Sequence, residues 1–377
     1  MNGASTNNNE TAPPGQSVAM HTSFRPVGRW QKLLAFRLIW PAVALCLLLT
    51  YNLFFTPGFF RIVLQDGHLY GSLIDVLSLA TPIAIVAIGM TLVIATGGVD
   101  LSVGSTIAIT GATCALLVHG VAADGANAPN AGWSFFPAAL VALSIAAVIG
   151  LWNGVLVSVL RIQPIIATLI MMVAGRGIAQ KLGGGDKIRF ADPMLNALCN
   201  GYLFYLPMGF WLVLIIFIIV SVTTRRTALG LALECVGDAP SASRYAGLRV
   251  KTIQLAAYVG CALCAGVAGL WQVSRDTVAD PINAGLNREL EAIFAVVVGG
   301  TALAGGRFTL VGSVLGAVLL QTLGTTLLST KLFGRDIRPA YLPLPQAIVI
   351  IVVCLLQSSK FREAVFKPFR NLGRADA

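Results

Sequence analysis

Charge is scarce in this sequence: Asp, Glu, Lys and Arg make up 11% of 377 residues, while 56% are hydrophobic. Soluble domains carry about 25% charged residues, so the balance excludes an ordinary water-soluble fold. Histidine is scarcer still, with His21, His68 and His119 all in tail or loop positions, which argues against a histidine metal site or a serine triad. Neither G-x-S-x-G nor H-E-x-x-H occurs. The chain contains no Gly-Lys pair, so it cannot cradle ATP phosphates in a P-loop, and any ATP must be hydrolysed by a partner. No catalytic residue, metal or cofactor is expected on this chain, and it is read as a non-enzyme.

Long apolar runs are what it has. Uncharged stretches at 76–99, 134–160, 193–224, 252–274, 308–330 and 339–359 each reach the roughly 20 residues that a helix needs to cross a bilayer core of about 30 Å. Continuous apolar runs point to helices, since barrel strands alternate. The expected fold is all-α and polytopic, with about ten crossings near 38–55, 75–96, 102–120, 135–160, 163–182, 206–222, 252–273, 289–304, 308–330 and 342–359. The polar stretch 1–37 reads as a disordered cytoplasmic leader and not as a cleaved signal peptide, because the first apolar run begins only at Leu38. Residues 38–359 form the membrane domain and 360–377 a basic cytoplasmic tail. Of seven cysteines, Cys261 and Cys264 form a C-x-x-C, read as small packed thiols because no second Cys/His pair accompanies them.

With the N-terminus inside, the inner segments collect 16 Lys/Arg and 6 Asp/Glu, the outer ones 10 of each, so the whole formal charge of +10 lies on the inner face. That is the positive-inside pattern. Both termini are then cytoplasmic, with the segments around Ala126 and Ala284 outside. The basic balance reflects orientation in a lipid bilayer and not nucleic-acid binding.

"GGVDLSVGS" at 97–105 recurs as "GGRFTLVGS" at 305–313, with five of nine positions identical. Gly97, Gly98 and Gly104, and Gly305, Gly306 and Gly312, mark two helix breaks. Paired glycine interruptions point to a transporter built from internal repeats; alternatively, small residues simply allow close helix contact. Asp100, within the first copy, is tolerated at membrane depth if it faces protein or water or caps the helix restarting near Ser102. Cap and substrate contact both remain open. Arg176 either reaches the outer interface or lines a pathway. Polar residues in the same segments complete the candidate pathway set: Asp100, Ser102, Asn153, Thr168 and Arg176.

The largest inner connection, 223–251, is too short for a catalytic domain. It carries a short helix pattern, with Asp238 as N-cap, Pro240 in the first turn and Gly247 as stop.

"AIGMTLVIATGGVDLSVGS", "GLWNGVLVSVLRIQPIIATLIMMVAGRGIAQ", "TALGLALECVGDAPSASRYAGLRV" and "AVVVGGTALAGGRFTLVGSVLGA" together resemble the permease subunits of bacterial ribose-type ABC sugar importers, over about residues 60–358. "LQDGHLYGSLIDVL" leading into "GGVDLSVG" looks closest to the galactofuranose importers of that family. The resemblance implies a subunit of the bacterial inner membrane that pairs with a second permease, identical or related. It also implies two cytoplasmic ATPase subunits holding ATP and magnesium, and a periplasmic sugar-binding protein. In such permeases a cytoplasmic coupling helix docks on the ATPase. Glu234, Gly237, Ala246 and Gly247 match its motif, with Asp238 and Arg244 beside them. Members often carry Asn just after the motif glycine; here the sequence reads "GDAP".

The expected function is thus translocation of a monosaccharide, galactofuranose, galactose or ribose-like, delivered by the binding protein. The rival reading is an ion-coupled secondary sugar carrier with Asp100 as the coupled carboxylate.

Overall fold

The structure is a computed structural model and describes residues 38–65, 68–119, 132–189, 199–329, 331–332, 335–336 and 343–357. The leader at 1–37, the tail at 360–377 and the segment around Ala126 lie outside the described residues.

Helices stand at all ten apolar segments: α1 (Ile39–Phe55), α2 (Ser72–Ala95), α3 (Val103–His119), α4 (Phe135–Ser158), α5 (Pro164–Leu182), α6 (Met208–Arg226), α9 (Val250–Asp276), α10 (Arg288–Val298), α11 (Leu310–Ser329) and α12 (Pro343–Gln357). Between α6 and α9 lie two short helices, α7 (Ala228–Asp238) and α8 (Pro240–Tyr245). Among the described residues six helices are long and apolar enough to cross a membrane: α2, α4, α5, α6, α9 and α11. The apolar helices α1 and α3 have 17 residues each.

The fifteen residues of α12 and the eleven of α10 fall short of a full crossing. At 1.5 Å per residue α10 covers about 16 Å, half a bilayer core. Its chain continues through irregular backbone at 299–309, a conformation membranes admit only where protein satisfies its polar groups. Here Thr309 Oγ1 donates to the Gly299 carbonyl at 3.0 Å, and the Thr309 amide donates to Thr301 Oγ1 at 3.2 Å.

At the centre is α2, buried almost continuously from Ala80 to Ala95. A helix that is apolar all round belongs in a core. It packs along α9 and α11, while α9 also lines α4 and α3. Close approach is possible because small residues meet: a β-carbon on Gly89 would lie 2.8 Å from Cys264 Cβ and 2.9 Å from Cys261 Cα. The C-x-x-C pair is buried packing against α2. By contrast α6 exposes Ile215, Ile218, Ile219 and Val222, a stripe at helical spacing fit for an apolar surrounding.

Among the described residues, four two-stranded antiparallel pairs join the helix ends: β1 (Val63–Gln65) with β2 (His68–Tyr70), β3 (Ile188–Arg189) with β6 (Val278–Ala279), β4 (Tyr202–Leu203) with β5 (Leu206–Pro207), and β7 (Lys331–Leu332) with β8 (Arg335–Asp336). The all-helical expectation holds for the body of the protein, with these short ribbons added. By connectivity all four lie at the end opposite the C-terminus of α2. There β3 and β6 clasp the ends of α5 and α9, reinforced by the Lys187–Asp280 ion pair at 2.9 Å. Partial burial pushes the Asp280 carboxyl up, but hydrogen bonds from the Asn283 side chain, Lys187 and the Asn283 and Ile282 amides outweigh it and hold the group at about 2. A depressed carboxyl stabilises above its ordinary range, so this contribution is lost only as pH falls towards 2.

Candidate functional site

The residues of the first glycine motif form a buried polar nest where α3 begins. Asp100 and Ser102 have no exposed surface. Asp100 Oδ1 accepts from the Ser102 amide at 2.9 Å and from Ser102 Oγ at 2.6 Å. Ser102 Oγ in turn accepts from Asn153 Nδ2 on α4 at 2.7 Å. The Ser102 carbonyl takes the Thr106 amide at 2.9 Å, the first bond of the restarting helix. Asp100 therefore caps the break, as one of its two readings proposed. Its Oδ2 and Asn153 Oδ1 are buried without partners, so the cap does not exhaust the carboxylate. Thr168 is also buried, donates to Pro164 at 2.9 Å and lies 3.4 Å from the Val99 carbonyl. Tyr258, missed by the sequence reading, closes the nest from α9, its hydroxyl 3.5 Å from the same carbonyl. The only sequence signal was one large polar ring amid the small residues of "LAAYVGCALCAG".

Arg176 does not join this nest. It lies on the other flank of the first turn of α3, half-buried, with Nη1 donating to the Ala284 carbonyl. Glu289, at the start of α10 and also unforeseen, is buried beside it.

Residues 223–251 contain two short helices. Thr227 caps α7 by accepting the Leu229 amide at 3.2 Å. Pro240 opens α8, and Gly247, at φ +85°, ends it, with the Gly247 and Leu248 amides returning to the Arg244 and Ser243 carbonyls. Asp238 is not the N-cap: it ends α7, and Ala239 holds the cap position with no side-chain bond. Pro240 at the first helical position removes one of the unpaired amides of the helix start and presets its φ. Arg244 and Ala246 are exposed, as is Tyr245 at 92%. Glu234 and Asp238 line a polar groove with Gly305, Gly306 and Arg307.

All three glycine motifs converge at one junction. The Gly306 amide donates to the Ala95 carbonyl, at the end of α2, at 3.0 Å. A β-carbon on Gly237 would lie 1.9 Å from that same carbonyl oxygen and 2.4 Å from the Gly306 nitrogen. One on Gly305 would lie 2.8 Å from the Gly97 nitrogen and 3.0 Å from the Gly237 carbonyl oxygen. Gly97, Gly305 and Gly306 all take positive φ, which glycine adopts without strain. The last turn of α7 thus touches both helix breaks, backbone to backbone. Of the other break residues, Gly98 packs under Tyr258, Gly104 against Glu289, and Gly312 against Gly299.

The last turn of α7 thus meets both glycine-interrupted junctions, and comparison with known proteins places the chain in a family. The family described as the permease component of the branched-chain amino acid transport system matches residues 72–355. The galactofuranose transporter permease protein YtfT of Escherichia coli (strain K12) is 42% identical over 330 residues, 86% of this chain and 92% of that protein. The fructose import permease FruF of Bifidobacterium longum (strain NCC 2705) is 35% identical over 88% of this chain and 90% of its own length, and the ribose import permease RbsC of Escherichia coli (strain K12) is 34% identical over 84% and 92%. The chain belongs to the family of ribose-type ABC sugar importer permeases. No solved structure matches it. As a permease of this family it is a multi-pass protein of the bacterial inner membrane. ATP hydrolysis falls to a separate ATPase subunit, and a sugar-binding protein is its other kind of partner.

Proposed function

We propose that this permease translocates a monosaccharide, galactofuranose before galactose or a ribose-like sugar, by opening alternately to the two faces as its ATPase partners close and separate. The observation that carries this reading is the junction at Gly237, which gives a docking segment direct purchase on both helix breaks. The similarity to a galactofuranose permease supports the sugar. A second permease, identical or related, would complete the pathway, and the exposed apolar stripe of α6 suits such a partner. The ten helices would make ten passes, those at α10 and α12 incomplete, with both termini cytoplasmic. The two glycine motifs would belong to related halves of the chain. Asp100, Ser102, Asn153, Thr168 and Arg176 would lie along or beside the path.

Proteoliposomes holding the permease with its ATPase and loaded binding protein are expected to accumulate sugar only with ATP inside the ATPase compartment. Accumulation by the permease alone under a proton or sodium gradient would establish the ion-coupled carrier instead. For orientation, single cysteines in a background lacking the native ones report the side: in intact cells an impermeant thiol reagent should label a cysteine at Ile282 and spare one at Ser241. The reverse pattern would invert the topology.

Arg244 would meet a carboxylate on the ATPase, since a guanidinium makes two parallel charge-assisted hydrogen bonds to such a group. Arg244→Glu should then reduce co-purification of the ATPase without changing membrane insertion. A rim contact would cost little, and a desolvated pair about 2 to 5 kcal/mol. Undiminished co-purification would remove Arg244 from the interface.

A further inference from the structure

Arg176 and Glu289 face each other across the first turn of α3 without forming an ion pair. A β-carbon on Gly104 would lie 2.2 Å from Glu289 Oε2 and 3.1 Å from Arg176 Nη2, so the two charged atoms flank one point. Yet the ion pairs found within 4 Å among the described residues are Lys187–Asp280 and Arg288–Glu291. Glu289 is 8% exposed, and both Oε2 and Nη2 are buried with no hydrogen-bond partner. Opposite charges held apart at membrane depth are costly and mark pathways. The Gly285 carbonyl oxygen lies 2.5 Å from the same point, so in this conformation the backbones of Gly104 and Gly285 close the space between the two charges.

The separation defines what fits. It exceeds 4 Å, and because both atoms lie close to one point it stays near 5 Å. A single hydroxyl accepting from a guanidinium and donating to a carboxylate, each at about 2.8 Å with a tetrahedral angle between them, spans about 4.5 Å. A hydroxyl has both capacities; a carboxylate only accepts and a guanidinium only donates, so each finds its complement in the same group.

We propose that Arg176 and Glu289 form a hydroxyl clamp in the translocation path, closed in this conformation by the first turn of α3 at Gly104 and gripping one hydroxyl of a neutral sugar when that turn withdraws. The proposal rests on the reading of the chain as a sugar permease. It extends that reading by assigning a contact that includes Glu289 and selects for a hydroxyl at one position of the sugar.

The test uses the complete importer in proteoliposomes, with D-galactose, D-ribose and their monodeoxy derivatives at concentrations that saturate the binding protein. Sugar transported per ATP hydrolysed is the readout. In the wild type, removal of one particular hydroxyl should lower transport per ATP about tenfold or more. Glu289→Gln and Arg176→Met should lower the parent sugar to the level of that derivative and erase the discrimination. A purely structural pair would slow all sugars alike, and discrimination that persists in the variants, or is absent from the wild type, overturns the clamp. Should Arg176→Met fail to assemble, the near-isosteric Glu289→Gln decides alone, its assembly verified by ATP hydrolysis stimulated by loaded binding protein. A wild type that transports no monosaccharide with ATP would instead overturn the sugar-permease reading itself.

Discussion

Gly237→Ala is expected to uncouple the importer. The added carbon would sit 1.9 Å from the Ala95 carbonyl oxygen and 2.4 Å from the Gly306 nitrogen, and both obstacles are backbone, which no rotamer change can move aside. Overpacking of this kind costs about 1 to 3 kcal/mol where the structure can shift at all. The shift available is withdrawal of α7 from the two breaks, or rupture of the 3.0 Å bond between the Gly306 amide and Ala95. Either removes the contact through which a docked ATPase would move the membrane helices. The exposed face of α8, with Arg244 and Tyr245, is untouched. ATPase co-purification should therefore persist while uptake falls by about tenfold or more, and ATP hydrolysis should lose its stimulation by loaded binding protein. Gly177→Ala is the control, since a β-carbon there meets nothing within 4 Å, and it should transport normally. Wild-type uptake in Gly237→Ala would show that the junction transmits nothing.

The helices were legible because apolar runs in this chain are long and their ends are punctuated. Pro164 after Gln163 opens α5, and Gly247 closes the coupling segment, as local sequence dictates. The stop of α10 at Val298 was not legible from hydropathy. The residues that follow, "GGTALAGG", are as apolar as a helix, and in a bilayer irregular backbone surrounded by protein can be apolar too. The glycine density was the real signal, and it was read as a break only at Gly305 and Gly306. Within 223–251, α7 carries its own helical spacing in Leu229, Leu233 and Val236, upstream of the Pro240 and Gly247 signals that mark only the shorter helix. The candidate site divides in the same way. Asp100 and Ser102 are two residues apart, so a cap between them is a local inference. Glu289 meets Arg176 across 113 positions of chain, and Gly237 meets both Ala95 and Gly306, contacts that only packing reveals.

Substitutions at Asp100 are expected to separate capping from charge. Oδ1 already accepts two hydrogen bonds from Ser102, and Ser102 Oγ holds Asn153. Asp100→Asn keeps an acceptor at Oδ1, removes the charge and replaces the unpartnered Oδ2 by an amide donor, so stability should change by about 1 kcal/mol, the range of a single net hydrogen bond. Asp100→Leu removes the acceptor from a site with no exposed surface, leaving the Ser102 amide and hydroxyl unsatisfied. Each such buried group costs about 1 to 3 kcal/mol, and loss of a helix cap alone about 1 kcal/mol. The leucine variant should therefore unfold several degrees earlier in detergent and yield little assembled complex, while the asparagine variant assembles and transports. Uptake per assembled complex, set beside thermal unfolding of each purified variant, decides between the roles. Assembly intact but uptake abolished in Asp100→Asn would mean that the charge itself is used, by sugar or by a coupled ion through the free Oδ2. Full stability and uptake in Asp100→Leu would show that α3 restarts without its cap, and the buried carboxylate would then have neither role.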